Sequence, residues 1–431
     1  MRIYLLLVCG IAALGGFLFG FDTAVISGTL TFVVNHFHFN SMMEGWFVSS
    51  ALLGCIAGVA VAGKLSDAYG RKIVMILSAA LFSLSAIGCM LSANAAILIS
   101  FRLVGGLGIG VASMICPLYL SEFSPAGLRG RMVALYQLAI TAGILGAYFS
   151  NAWLLHLSQQ DFPVMRHFHG QDVWRSMIGI GFIPSFAFLC LLFVIPESPR
   201  WLAARGKEAG AGESGALKEL FSPVYRVPLI IGLALPFLSQ VSGINAVIYY
   251  GPSILDKAGF SLGDALGGQV TIGIVNMLFT FVAIFTVDRW GRKPLLFLGI
   301  TGAVISLVAT GILFSAHIVH GPLILLFLLL FIACFAFSFG PVCWIVVSEI
   351  FPGKIRGQAM SLATLSLWVA NFGVGQCTPM MLQSAHWGPA ATFMTFAVLC
   401  IPGLWLTWKL IPETKGMSLE AIEQYWKERK K

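Results

Sequence analysis

The sequence predicts an all-α integral membrane protein with twelve transmembrane helices in two six-helix bundles. Three observations carry that expectation. The 431 residues are 58% apolar and only 10% charged, with mean hydropathy +0.89, more apolar surface than a water-soluble fold of this length hides. Apolar runs of about 20 residues, the length that crosses roughly 30 Å of hydrocarbon, recur along the chain. One loop occurs twice: Asp67-Ala-Tyr-Gly70-Arg71-Lys72 after the second run, and Asp288-Arg-Trp-Gly291-Arg292-Lys293 after the eighth. A repeat with the same polarity six spans later marks the fusion of two homologous bundles.

The first six spans are expected near residues 3–31, 43–63, 73–93, 95–118, 132–155 and 176–195. The second six are expected near 226–250, 269–287, 294–315, 321–347, 358–384 and 390–411. The first run continues past Gly15-Gly16 to about Val34, too long for a signal peptide. Two further echoes support duplication. Glu122-Phe-Ser-Pro-Ala-Gly-Leu-Arg129-Gly follows span 4, and Glu349-Ile-Phe-Pro-Gly-Lys-Ile-Arg356-Gly follows span 10. Pro196-Glu-Ser follows span 6, and Pro412-Glu-Thr follows span 12. A Gly-rich, charged stretch from Arg205 separates the halves. The expected units are an N-terminal bundle, 1–195, a short linker, 196–225, a C-terminal bundle, 226–411, and a tail, 412–431. One short helix is expected around 214–221, and another in the tail with Ser418 as its N-cap.

Charge placement sets the direction of threading. Loops on one side, with the C-terminal tail, hold 21 Lys or Arg; the opposite loops hold three, Arg166, Arg175 and Lys257. The positive-inside rule puts the heavier side, and both termini, in the cytoplasm. The net charge of +8 sits in these loops rather than on a basic face with interleaved aromatics, so no nucleic-acid partner is expected. All nine cysteines fall in apolar runs without metal-ligand spacing and read as small core residues. His156, His167, His169, Asp161 and Asp172 crowd one loop; no helix spaces them as ligands, so a solvated loop is expected rather than a metal site. Neither a Ser–Lys, a paired-Asp nor a His-Glu-x-x-His arrangement is present, so neither an enzyme nor a cofactor is expected.

Two charged residues lie deep inside apolar runs, Asp22 in span 1 and Arg102 in span 4. Each is expensive in hydrocarbon and therefore suggests function. Span 1 reaches Asp22 roughly 28 Å from its start, and span 4, running the other way, reaches Arg102 after roughly 9 Å. The two depths match. A guanidinium favours an ionised carboxyl beside it, whereas burial favours the acid. A group between those influences can load a proton on one side and release it on the other; a permanent structural ion pair is the alternative. The pair sums to zero charge, which points to a neutral polar solute. Span 7 offers Gln240, Asn245, Tyr249 and Tyr250; other spans add Gln137, Asn276, Trp344, Trp368 and Asn371. These supply the amides and aromatic faces that a polyhydroxyl solute needs. Gln240 and Asn245 stand about 140° apart on an ideal helix. They share a cavity only if the helix breaks, which Gly243 permits. For any single amide, hydrogen bonding between helices is an equal alternative.

Several stretches together resemble the sugar porter family of the major facilitator superfamily, over nearly the whole chain. They are Gly20-Phe-Asp22-Thr-Ala-Val-Ile-Ser-Gly28, Pro117-Leu-Tyr-Leu-Ser-Glu122, Pro196-Glu-Ser-Pro-Arg-Trp-Leu202, Gln240-Val-Ser-Gly-Ile-Asn245 and Gly340-Pro-Val-Cys-Trp344. The resemblance implies the major facilitator fold, with two bundles rocking around a central hexose or pentose site. Facilitative members tend to carry a neutral residue at the position of Asp22, so the resemblance implies that Asp22, with Arg102, couples a proton to a small neutral sugar. Symport is therefore expected over a sugar or polyol uniporter, or a transporter-like sugar sensor. It further implies substrate contacts from Gln137, Gln240, Asn245, Asn276, Trp344 and Trp368, with Tyr250 nearer an outer gate. At the inner face it implies a salt-bridge set between bundles, drawn from Asp67, Arg71, Glu122, Arg129, Asp288, Arg292, Glu349 and Arg356. A functional monomer in the lipid bilayer of a bacterial inner membrane is expected. Two positions depart from the pattern: Ser239 replaces a Gln, and Leu367 replaces an Asn or Gln. A sugar hydroxyl left unpaired costs about 1–3 kcal/mol, so a different hydroxyl pattern, a deoxy sugar or a polyol stays open. The linker is also shorter than the family's central loop.

Overall fold

The computed structural model describes residues 2–125, 129–159, 172–205, 219–318, 320–417 and 419–429. Regular structure among them is entirely helical. Spans 1–5 are Arg2–Phe37, Ser41–Tyr69, Arg71–Met90, Ala95–Phe123 and Arg129–Ser158. Span 6 is Val173–Gly179 followed by Phe182–Leu192, and the short helix Pro199–Arg205 opens the linker. Span 7 is Arg226–Val241 and Ile244–Lys257; span 8 is Leu262–Trp290; span 9 is Arg292–Ser315. Span 10 is Gly321–Phe337 and Phe339–Glu349, span 11 Gly353–Gln383, span 12 Gly388–Lys409. Helix Leu419–Arg429 lies in the tail. Residues 206–218, with most of the expected linker helix, and Ser418 lie outside the described residues. So do Asp161, His167 and His169.

All twelve expected spans are present. Several run one or two turns further than hydropathy suggested, and side-chain caps fix the starts of spans 2 and 4. Asn40 accepts from the Met43 amide at 2.9 Å, and Asn94 from the Ile97 amide at 3.0 Å. Eleven spans are long and apolar enough to cross a bilayer on composition alone. Span 11, at 31 residues, is long enough but more polar. Its Ser366 hydroxyl donates to the Leu233 carbonyl at 2.9 Å, and Asn371 and Gln376 bond other spans, so its polar groups are satisfied by protein rather than lipid. Seven cysteines are buried, as core residues; Cys190 and Cys377 differ, being exposed.

Span 7 breaks at Gly243, whose φ of 87° is left-handed and suits glycine. A Cβ there would stand 2.5 Å from the Phe396 ring, so space also demands glycine. Span 10 breaks at Ser338, three residues before Pro341, whose nitrogen has no hydrogen to donate.

The two halves meet through span 2 against span 11 and span 5 against span 8. The first contact is tight at the face opposite the basic loops. Gln383 Nε2 donates to Glu44 Oε2 at 2.6 Å, Ser49 Oγ to Gln376 Oε1 at 2.7 Å, and Gln376 Nε2 to the Met42 carbonyl at 3.1 Å. Gly45 makes this approach possible, since a Cβ would lie 2.3 Å from the Gln376 carbonyl oxygen. Gly45→Leu is therefore expected to hold that mouth open. With Cys190 and Cys377 replaced by serine, a Ser49→Cys thiol should then react several-fold faster with a water-soluble maleimide. An unchanged rate would contradict this packing.

Candidate functional site

Span 1 carries Asp22 and span 4 carries Arg102, and the structure brings them together as the sequence expected. Arg102 Nη1 donates to Asp22 Oδ2 at 3.1 Å. The guanidinium side chain is 4% exposed and the carboxyl side chain 19%, so the carboxyl is the wetter partner. Gly105, one turn beyond Arg102, leaves room; a Cβ there would meet the Ser85 hydroxyl at 2.4 Å. Only one hydrogen bond holds the pair, and Arg102 Nε is buried without a partner. A two-pronged fork would be stronger and harder to separate. Tyr249, in the second half, lies within electrostatic reach of both charges. Its hydroxyl exchanges hydrogen bonds with Asn371 at 3.0 and 3.2 Å, so span 7, span 11 and the ion pair adjoin.

The break at Gly243 does for the amides what an unbroken helix could not. Asn245 Nδ2 donates to Gln240 Oε1, joining two side chains that stand well apart on a regular helix. Gln240 Nε2 donates to Ser239 Oγ at 3.1 Å, and Ser239 donates to the Pro236 carbonyl at 2.7 Å. Ser239 thus orients Gln240 rather than offering a free amide. Gln240, Asn245 and Asn276 are buried, while Gln137 and Trp344 are half-buried. Trp368 is buried, packs on Phe19 of span 1 with ring centroids 5.3 Å apart, and has an unpartnered Nε1. Tyr250 is fully buried and its hydroxyl donates to the Gly375 carbonyl on span 11, placing it in the closed mouth. Asn371 of span 11 donates to the Tyr249 hydroxyl. Leu367 packs against the core.

The basic face repeats the same network in each half. Arg71 bonds Asp67 at 2.9 Å and Glu122 at 3.1 Å; Arg292 bonds Asp288 at 3.0 Å and Glu349 at 2.9 Å. Glu197 accepts the amides of Arg71 and Lys72, and Glu413 those of Arg292 and Lys293, capping spans 3 and 9. Ser198 donates to Glu122 and Thr414 to Glu349. Gly70 and Gly291, at φ 98° and 91°, admit these caps; a Cβ would stand 2.3 and 2.6 Å from the glutamate oxygens. Among the described residues every ion pair on this face stays within one half. Arg356 bonds the Phe351 carbonyl at 3.2 Å, and the side chain of Arg129 lies outside the described residues.

Sequence reasoning gave no role to Glu197, Glu413, Glu44, Gln376 or Gln383. The first two stand in the matched Pro-Glu-Ser and Pro-Glu-Thr loops, so repetition held the signal. Glu44 stood at the expected edge of span 2, and no local pattern pairs it with a residue 339 positions away.

The family model for sugar (and other) transporters matches residues 8–219 and 211–426. The chain is 37% identical to the arabinose-proton symporter of Bacillus subtilis, over 98% of this chain and 95% of that protein. It is 34% identical to the D-xylose-proton symporter of Escherichia coli, over 98% and 96%. The solved structure of the xylose transporter from Escherichia coli, in a partially occluded inward open conformation, superposes with a TM-score of 0.82 at 34% identity, covering 96% of this chain and 99% of that one. A fold of twelve helices in two bundles, a family match along nearly the whole length, and full-length likeness to solved transporters converge: the chain is a multi-pass membrane protein of the sugar (and other) transporter family, with the major facilitator fold.

Proposed function

We propose that this protein is a proton-coupled symporter that imports a neutral monosaccharide, a pentose or hexose, by alternating access. The singly bonded Asp22–Arg102 pair, with its guanidinium buried and Tyr249 within electrostatic reach, carries the reading. Relatives named as arabinose-, D-xylose- and galactose-proton symporters support it. No cofactor enters the cycle; the proton is the coupling ion, and the working unit is a monomer in the bilayer of a bacterial inner membrane.

Asp22 is charged when bound to Arg102 and neutral once protonated. Protonation weakens its hold on the guanidinium, and the shift passes through Tyr249 to the second half. Gln240, Asn245, Asn276 and Gln137 hydrogen-bond the sugar hydroxyls, while Trp344 and Trp368 cover its C–H face. The buried Trp368 Nε1 lacks a partner, so it is available to a sugar oxygen. The shut mouth and the ion pairs confined to each half fit a carrier that faces the basic side. In the alternate state the clusters around Arg71 and Arg292 bridge residues 1–195 to residues 226–411, with the linker 196–225 and tail 412–431 on the same side.

A thermal-shift screen against aldopentoses, hexoses and polyols tests the substrate class: stabilisation by a pentose or hexose is expected, and stabilisation by charged solutes alone would refute it. The basic face and both termini are placed in the cytoplasm by the positive-inside rule. A protease added to spheroplasts should leave a C-terminal epitope tag intact until the cells are lysed.

A further inference from the structure

We propose that Glu44 is a second proton-responsive group, one that governs whether the mouth opposite the basic face is shut. The inference deepens the symport reading and rests on it only for the direction of sugar movement. Glu44 is 5% exposed in the shut mouth. Gln383, from the other half, is its hydrogen-bond donor at 2.6 Å. Neighbouring links in the seal, Ser49 to Gln376 and Gln376 to the Met42 carbonyl, involve no ionisable group. Glu44 is therefore the titratable member of the seal between spans 2 and 11.

The charged and titratable groups around it are few. Lys257 and Asp256, at the end of span 7, share with Glu44 a cavity of about 320 Å³ that Thr31, Asn35 and Gln383 also line. That volume holds several waters, at about 30 Å³ each, which can carry a proton to the carboxyl. Lys257 exerts an attractive charge without forming an ion pair among the described residues. Tyr250, also nearby, has its hydroxyl committed to the Gly375 carbonyl. Spans 1, 8 and 11 present only uncharged side chains to the cavity.

Shutting the mouth strips water from the Glu44 carboxyl and returns one amide donor. A charged carboxylate loses far more by this than a neutral acid. Protonation therefore favours the shut mouth, and deprotonation favours opening. Lys257 opposes this by favouring the carboxylate, and Asp256 reinforces it by repelling one. Glu44 takes its proton from the medium at that mouth and returns it there on reopening. It alters the pH profile of gating and leaves the proton-to-sugar ratio unchanged.

The test uses the full chain with Asp22→Asn, so that any remaining pH response belongs elsewhere than the ion pair. Cys190 and Cys377 are replaced by serine, and spin labels are placed at Met42→Cys and His386→Cys, both exposed on the mouth. The ratio of shut to open distances is read from pH 5 to pH 8. A fall of at least fivefold across that range is expected, collapsing to under twofold in Glu44→Gln. Lys257→Met should move the transition to higher pH. A profile unchanged by Glu44→Gln, or a flat profile before that substitution, would overturn the proposal. Failure of proton-coupled uptake in the unmodified carrier would refute symport and leave this result standing.

Discussion

Asp22→Asn is expected to turn a concentrating carrier into one that only equilibrates sugar. In vesicles with an alkaline lumen, one proton per sugar and one pH unit support up to about tenfold accumulation. The unmodified protein should approach that limit, whereas the variant should stop near a ratio of one. Exchange of labelled for unlabelled sugar should persist, because Asn has the shape of Asp and keeps an oxygen for Arg102. The variant leaves the Arg102 charge without a counter-ion at 4% exposure. Loss of that counter-ion should also lower the melting temperature. Uphill accumulation by the variant would show that the pair is only structural.

Asn245→Ala is expected to weaken sugar binding roughly 5- to 150-fold, the range that an unpaired hydrogen-bonding group of about 1–3 kcal/mol gives. In the proposed site the substitution removes a direct partner for a sugar hydroxyl. It also removes the donor that holds Gln240 Oε1, so the neighbouring amide loses its orientation. Ser239→Ala should cost less, since it removes only the 3.1 Å contact behind Gln240. Sugar-dependent thermal shift, titrated for each variant, measures the order. Equal affinity in Asn245→Ala would place the sugar away from the broken span 7.

The span count, the duplication and the meeting of Asp22 with Arg102 were legible because each follows from one-dimensional facts. Twenty apolar residues cross a bilayer, alternating direction fixes depth, and repeated loops mark repeated bundles. The Gly243 break was legible too, because two amides five apart cannot share a regular helix. The breaks near 180–181 and Ser338 were not, because the overall hydropathy of each run masked the Gly181 and Gly340-Pro341 signals beside them. The seal of Glu44, Ser49, Gln376 and Gln383 was hidden for a different reason. Its partners come from helices more than 300 residues apart, and each taken alone reads as an ordinary polar residue near a span end. Ser239 shows the converse limit. Its place in the pattern marked a missing amide, but only the structure shows its hydroxyl turned back to steady Gln240.

The most direct test is a proton measurement on the unmodified carrier. Purified protein in tight vesicles without an imposed gradient is given a sugar that the thermal-shift screen selects, and external pH is recorded in weak buffer. Alkalinisation that begins with sugar addition, saturates with it and vanishes with a protonophore is the predicted result. Sugar uptake at full rate with a level pH trace would contradict the account.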